Sequence, residues 1–244
     1  MKRILELIFP EKYICFICED YGKDIKGNLC SICREELVFI TQNSCSICGR
    51  KIESEKSIEN IIKCKECIKR PHYYFKSVSP LSYERDIKMA IYNFKYNDRQ
   101  HMYRLFGRLM VESILENDLE HVDIVVPVPL YKDREKKRGF NQAALLAKYI
   151  SNYLKLELDI KNLRRDKHTN AQNKLDRSQR KRNISGVFGL RDNQAFINKR
   201  VLLIDDIYTT GSTVDECSRI LLENGATQVF VSTLAVTPDR KSDI

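Results

Sequence analysis

The chain has 244 residues, 43% of them hydrophobic, and a net charge of +9. That is enough apolar material for one large core or two smaller ones, and no apolar run approaches membrane-spanning length, so no membrane insertion is expected. The opening MKRILELIFPEKY is basic and briefly apolar. Glu6 interrupts it and no small-residue cleavage site follows, so it does not read as a signal peptide and a cytoplasmic location is expected.

In a reducing compartment the nine cysteines read as metal ligands rather than disulfides. Eight of them form four C-x2-C pairs: Cys15/Cys18, Cys30/Cys33, Cys45/Cys48 and Cys64/Cys67. Two intervening residues let a tight knuckle present both sulfurs to one tetrahedral Zn2+, and two knuckles close a site. The simplest pairing is sequential, Cys15, Cys18, Cys30 and Cys33 around one ion and Cys45, Cys48, Cys64 and Cys67 around the other; an interleaved pairing has the same spacing. Four thiolates leave no open coordination position, so both zinc ions are expected to be structural. His72 is not needed as a ligand. Cys217 stands alone and reads as a core residue. Arg70-Pro71-His72 marks an exit from this module. The expected division is residues 1–75 as a double zinc ribbon and 76–244 as a second, α/β domain.

The second part alternates strand-like and helix-like segments. Residues 78–83 read as a short strand. Residues 84–96 place Ile87, Ile91 and Phe94 at helical spacing, and 102–115 do the same with Leu105, Leu109 and Leu115. Residues 123–129, DIVVPVP, read as a buried strand. The basic block Lys132, Arg134, Lys136, Lys137 and Arg138 follows, then Gly139-Phe140-Asn141-Gln142 opens an amphipathic helix. That block has two readings: an anion pocket at a helix N-terminus, or a solvated charged turn with Asn141 as cap. Residues 156–160 read as an edge strand. Residues 163–183 are basic and poor in apolar side chains and read as a loop or lid. Residues 161–182 carry nine Lys and Arg against two Asp, which matches the basic excess of the whole second part and indicates a local anion site. Residues 187–190 read as a strand, and 228–236 as the last one.

The most informative stretch is 201–213, VLLIDDIYTTGST. Val201, Leu202, Leu203 and Ile204 read as a strand buried on both faces of a parallel sheet. Asp205 and Asp206 follow as an acidic turn that suits sugar hydroxyls or Mg2+. Thr209, Thr210, Gly211, Ser212 and Thr213 then form a hydroxyl-rich loop before a helix over 212–224. Free N–H groups at a helix N-terminus favour an anion, and Gly211 lets backbone approach a phosphate.

This stretch resembles the phosphoribosyl pyrophosphate signature of the type I phosphoribosyltransferases. The resemblance implies a parallel α/β sheet, a 5-phosphate on residues 209–213 and ribose hydroxyls on Asp205 and Asp206, with Mg2+ accompanying the ligand. It also implies a pyrophosphate loop at Val126, Pro127 and Val128, with Arg138 beside it. Purine-salvage members carry a carboxylate where this chain has Thr209, and threonine is no general base at neutral pH; the donor site is signalled and an acceptor site is not.

The combination is narrower still. Four knuckles, then Lys95, Tyr96, Asn97 and Arg99, then PVPLYKDREKKRGFNQAALLA, then Thr169, Gln172, Leu175, Arg180 and Asn183, then DDIYTTGST resemble the ComF family of late-competence proteins from Cys15 to Val236. That resemblance implies handling of single-stranded DNA during natural transformation, with an ATP-dependent (ComFA-like) helicase as partner. With the charge map, it makes Arg177, Arg180, Lys181 and Arg182 the expected DNA-binding residues. Tyr73, Tyr74 and Phe75 beside Lys69 and Arg70 offer stacking faces, or simply pack at the domain junction. Three readings result: a competence factor that binds phosphoribosyl pyrophosphate or DNA phosphates, an active Mg-dependent transferase whose 161–182 lid closes over pyrophosphate, and a regulator that senses phosphoribosyl pyrophosphate.

Overall fold

The structure, a computed structural model, describes residues 13–22, 24–41, 43–52, 62–167 and 186–238. Both ribbons start from the same backbone device. The amide of Cys15 bonds the carbonyl of Asp20, and that of Cys45 bonds the carbonyl of Arg50, at 2.9 and 2.8 Å. Each turn folds back on its first cysteine through a second bond, Glu19 N–H to Cys15 C=O and Gly49 N–H to Cys45 C=O. The second knuckle of each pair opens a short helix: α1 (Ser31–Glu36) after Cys30 and α2 (Lys65–Lys69) after Cys64.

The rest is a parallel sheet with helices on both faces. In chain order it contains β1 (Lys76–Val78), β2 (Leu81–Ser82), α3 (Asp86–Tyr96), a 3-10 turn and α4 (Tyr103–Leu115), then β3 (Ile124–Pro127), α5 (Lys132–Arg138), α6 (Gln142–Leu154) and β4 (Glu157–Leu158). A two-stranded antiparallel pair, β5 (Leu163–Arg165) and β6 (Phe188–Leu190), stands apart from the sheet. β7 (Arg200–Tyr208), α7 (Ser212–Glu223) and β8 (Gln228–Val236) complete it. The sheet order is β1-β8-β7-β3-β4, with β2 also on β8, and every pairing is parallel.

The continuous apolar run in β7 is explained by this order. Leu202 and Ile204 face a core shared with α3, α4, α6 and the first ribbon's Cys15, Phe16, Leu29 and Cys33. Val201 and Leu203 face a second core with Val214 and Leu221 of α7, Leu163, Phe188 and the second ribbon's Cys45, Cys48 and Cys64. A fully buried aliphatic contributes about 1.5–3 kcal/mol, so each ribbon is anchored by the sheet as well as by its thiols.

Four expectations change. The strand over 78–83 is two strands, because Pro80 has no N–H to give the ladder; in the gap Ser79 Oγ and Thr233 Oγ1 share a 2.6 Å bond. The 132–138 block is a helix rather than a turn. It has no apolar stripe, but Asp133 and Glu135 open it, Lys136, Lys137 and Arg138 close it, and Gly139 ends it at φ +80°, all favoured by the helix dipole and a left-handed C-terminus. Residues 163–165 of the expected loop are strand β5. β7 does not stop at Ile204: Asp205, Ile207 and Tyr208 stay paired with Thr233, Ala235 and Val236. The acids therefore lie in a strand, not in a turn. Residues 168–185, including Thr169, Gln172, Leu175, Arg177, Arg180, Lys181, Arg182 and Asn183, lie outside the described residues.

Candidate functional site

The chain leaves β3 toward β4 on one side and leaves β7 toward β8 on the other. Right-handed crossovers in opposite directions put their helices on opposite faces. α6 accordingly lies in the first core and α7 in the second. Between the carboxyl ends of β3 and β7 the connections diverge, and such a crevice is where open parallel sheets hold ligands.

Asp205 and Asp206 rise from β7 into this region. Pro127 pairs with Ile204 in register, and the Val128 amide bonds the Ile204 carbonyl at 2.8 Å. The Asp206 amide donates to Asp205 Oδ1 at 2.8 Å. Desolvation, and then the adjacent charge of Asp206, push the Asp205 carboxyl up to about 7, against the pull of that amide, Lys95 and Arg165. Asp206 is held by Lys95 Nζ at 2.7 Å, from the last turn of α3. Arg165 on β5 is buried beneath Phe188, its guanidinium 5.4 Å from the ring centre. Burial, with the like charge of Arg134 on α5, depresses its basicity, and Cys217 and Asp205 oppose the shift. Two acids thus face two cations, Lys95 from α3 and Arg165 from β5, with Arg134 of α5 near Arg165. Sequence reasoning singled out Lys95 only through the family pattern and gave Arg134 and Arg165 no individual role; the signal was their charge, dispersed among many other Lys and Arg.

After Tyr208 comes the loop. Gly211 has φ +76° and stands at the N-cap of α7 with no side-chain cap. An added Cβ would run into the Tyr208 hydroxyl. The glycine is therefore required by Tyr208 and by the left-handed backbone, a reason the sequence did not show. Thr210 Oγ1 and Ser212 Oγ share a 2.9 Å bond. With open helix N–H groups, these hydroxyls form an environment suited to a phosphate.

The expected pyrophosphate-loop residues separate. Val126, Pro127 and Val128 are buried, the two valine side chains belong to the second core, Pro127 has no N–H, and the Val128 N–H and C=O are bonded to Ile204 and Asn141. Arg138 ends α5, donating to the Tyr96 hydroxyl at 2.7 Å and to Gln142 Oε1 at 3.1 Å. Asn141 caps α6 through Ala143 N–H at 3.0 Å and donates to the Val128 carbonyl at 3.1 Å.

The second ribbon reaches the same loop. Arg50, directly after the Cys48-Gly49 turn, donates from Nη2 to the Thr209 carbonyl at 2.9 Å. Tyr74 and Tyr208 share a buried 2.7 Å hydroxyl bond. Asp215, in the first turn of α7, accepts from the Tyr73 amide at 2.8 Å and lies 3.4 Å from His72 Nδ1. Gly49 explains the tight approach: at φ +69°, a Cβ there would come within 2.7 Å of the Ser77 carbonyl oxygen on β1.

The thiols gather sequentially, Cys15, Cys18, Cys30 and Cys33 in one group and Cys45, Cys48, Cys64 and Cys67 in the other, with ligand atoms within 4.8 Å of one another. A tetrahedron of Zn–S bonds near 2.3 Å has edges of about 3.8 Å. Cys18 and Cys30 sulfurs are 3.8 Å apart, and Cys48 and Cys64 sulfurs 3.7 Å. The spacing fits structural zinc and is far too long for a disulfide. Magnesium fits the acids less well, since Lys95 already pairs with Asp206 and Asp205 holds its proton up to about 7.

Parallel sheet, switch-point crevice and strand-acid-loop-helix unit together define a type I phosphoribosyltransferase-like domain. Residues 95–244 match the phosphoribosyl transferase domain family, and residues 4–68 match the double zinc ribbon domain family. The chain is 33% identical over 181 residues to Competence protein F of Haemophilus influenzae, covering 70% of this chain and 77% of that one. It is 32% identical over 178 residues to DNA utilization protein YhgH of Escherichia coli, covering 71% and 78%. Against Competence protein ComFC of Bacillus subtilis it is 27% identical over 232 residues, 91% of this chain and 83% of that one. The chain belongs to the ComF family of competence proteins, with a double zinc ribbon joined to a phosphoribosyl transferase domain. No helix among the described residues is long and apolar enough to cross a membrane.

Proposed function

We propose that the protein is a competence or DNA-utilization factor of the cytoplasm that binds phosphoribosyl pyrophosphate and handles single-stranded DNA. The observation that carries the ligand is the β7–α7 unit: Asp205 and Asp206 within the carboxyl-terminal half of β7, then a helix N-terminus with no side-chain cap behind Gly211. The residues for the ligand are Asp205 and Asp206 for ribose hydroxyls and Thr209, Thr210, Gly211, Ser212 and Thr213 for phosphate. Backbone of Val126, Pro127 and Val128, with Arg138, flanks the diphosphate. Magnesium arrives with the diphosphate oxygens, as is usual for that ion. Binding without turnover is favoured over transfer, because Thr209 offers no base. Calorimetry with phosphoribosyl pyrophosphate and Mg2+ tests the reading. Native protein is expected to bind and Gly211→Val to lose binding; absence of heat with native protein would refute it.

The DNA part rests on charge and relatives. Arg177, Arg180, Lys181 and Arg182 form the expected strip, sequence-tolerant and salt-sensitive. A groove beside the second ribbon supports a further contact, lined by Lys63, Ile68, Arg70, Tyr73 and Phe75. Tyr74 packs inward at 2% exposure, whereas Tyr73 before it is 52% exposed and Phe75 after it is 60% exposed with one edge against Phe230, so both rings offer open surface for stacking. Anisotropy with a short labelled oligonucleotide at two salt concentrations tests this. Neutralising the four strip residues should lower affinity and flatten the salt slope; unchanged affinity at both salts would remove the strip from the DNA site. A ComFA-like ATP-dependent helicase is the partner the family suggests, testable by co-purification.

A further inference from the structure

We propose that Arg50, on the second zinc ribbon, is a positioning residue for the phosphate loop: it fixes the orientation of the Thr209–Thr210 peptide so that the Thr210 N–H faces the ligand. The inference rests on the phosphate-loop reading above. In a planar trans peptide the C=O and the following N–H point in opposite directions. The Thr209 carbonyl is held from behind by two donors, Arg50 Nη2 at 2.9 Å and Thr237 Oγ1 at 3.0 Å. With the oxygen held on the ribbon side, the Thr210 amide is directed away from it, to the side where Gly211 opens α7. If the peptide flipped, a carbonyl oxygen would replace a donor and repel an anion.

Arg50 is suited to this task. It is only 6% exposed, so its charge-assisted bond is little weakened by water. Its backbone is pinned by the knuckle, through the 2.8 Å bond from Cys45 N–H to its carbonyl. Thr237 sits just past β8, where its own amide bonds the Tyr208 carbonyl at 2.9 Å. The two donors come from opposite ends of the chain and converge on one oxygen.

The test compares native protein, Arg50→Gln and Thr237→Val by titration with phosphoribosyl pyrophosphate and Mg2+, by zinc content, and by amide hydrogen exchange over residues 209–215. Arg50→Gln is expected to keep both zinc ions, to lose about tenfold or more in affinity because the competent loop is less populated, and to exchange faster over the loop. Thr237→Val should shift both readouts the same way by a smaller factor. Affinity and exchange equal to native in Arg50→Gln would overturn the proposal. If Arg50→Gln loses zinc, Thr237→Val decides: a severalfold loss supports the peptide mechanism, and no change overturns it. If native protein binds no phosphoribosyl pyrophosphate, the ligand reading fails, while faster loop exchange in the variants still supports Arg50 as the anchor and unchanged exchange rejects it.

Discussion

The two ribbons have the same four-thiol chemistry and opposite relations to the crevice. The first packs Phe16 against His101, ring centres 4.8 Å apart, and pairs Glu19 with Arg99 at 3.0 Å, on the side of α3 and α4. The second lies on the other face and reaches the 208–215 region through Arg50, Tyr74 and Tyr73. Identical metal sites can therefore serve different ends, because function follows from what the knuckle's neighbours touch. The first ribbon widens a hydrophobic core; the second braces the loop that carries the candidate site.

Loss of a ligand thiol should separate the two most strongly. Cys18→Ser and Cys45→Ser are each expected to reduce zinc from two ions per chain to one by elemental analysis, since structural zinc supplies on the order of 10 kcal/mol of local folding free energy. Only Cys45→Ser should abolish phosphoribosyl pyrophosphate binding, with Cys18→Ser staying within about threefold of native. Equal losses from both would dissolve the distinction.

Core truncation comes next. Phe16→Ala should cost about 3–5 kcal/mol by denaturant unfolding and leave the affinity of the remaining folded protein unchanged. On the second ribbon's side, Tyr208→Phe at the end of β7 should cost only about 1–3 kcal/mol, from a Tyr74 hydroxyl left buried without its partner, yet weaken the ligand. A stability loss without an affinity loss in Tyr208→Phe would mean that the second ribbon does not brace the loop.

The smallest effect on the ligand is a pH dependence on the second ribbon's side of the comparison. A carboxyl at about 7 in the folded chain, against about 3.9 unfolded, keeps its proton longer when folded. Its contribution to stability is present at low pH and is lost as pH rises from about 4 to 7. Ligand affinity should run the other way, because ionised Asp205 is the better acceptor for sugar hydroxyls. Affinity is expected to rise severalfold from pH 6 to 8 and to flatten in Asp205→Asn, whereas Glu19→Gln beside the first ribbon should leave the profile unaltered.

Much of this is legible in the amino-acid sequence. The knuckle spacing specified two zinc sites, and the VLLIDDIYTTGST run specified a buried strand and a helix with a loop between them, since both patterns are local and chemically demanding. Helix α5 was not legible by periodicity, because Lys132–Arg138 buries nothing; its stability signals lie at its ends. Strand β5 was hidden for a similar reason, with Leu163 and Arg165 turned inward and Arg164 out, so that a buried arginine looked like one more charge in a basic segment.

The sequence by itself determined the chemistry available: which thiols have metal-ligand spacing, which acids and hydroxyls fall in the strand-loop-helix unit, and why Thr209 is no base. Tertiary structure alone decided the partners. It brought Lys95 to Asp206, Arg165 toward Asp205 and Arg50 to the Thr209 carbonyl, across 159 residues of chain in the last case. Residue type and spacing encode local geometry, whereas these contacts depend on the order of strands in the sheet and on which face each crossover takes.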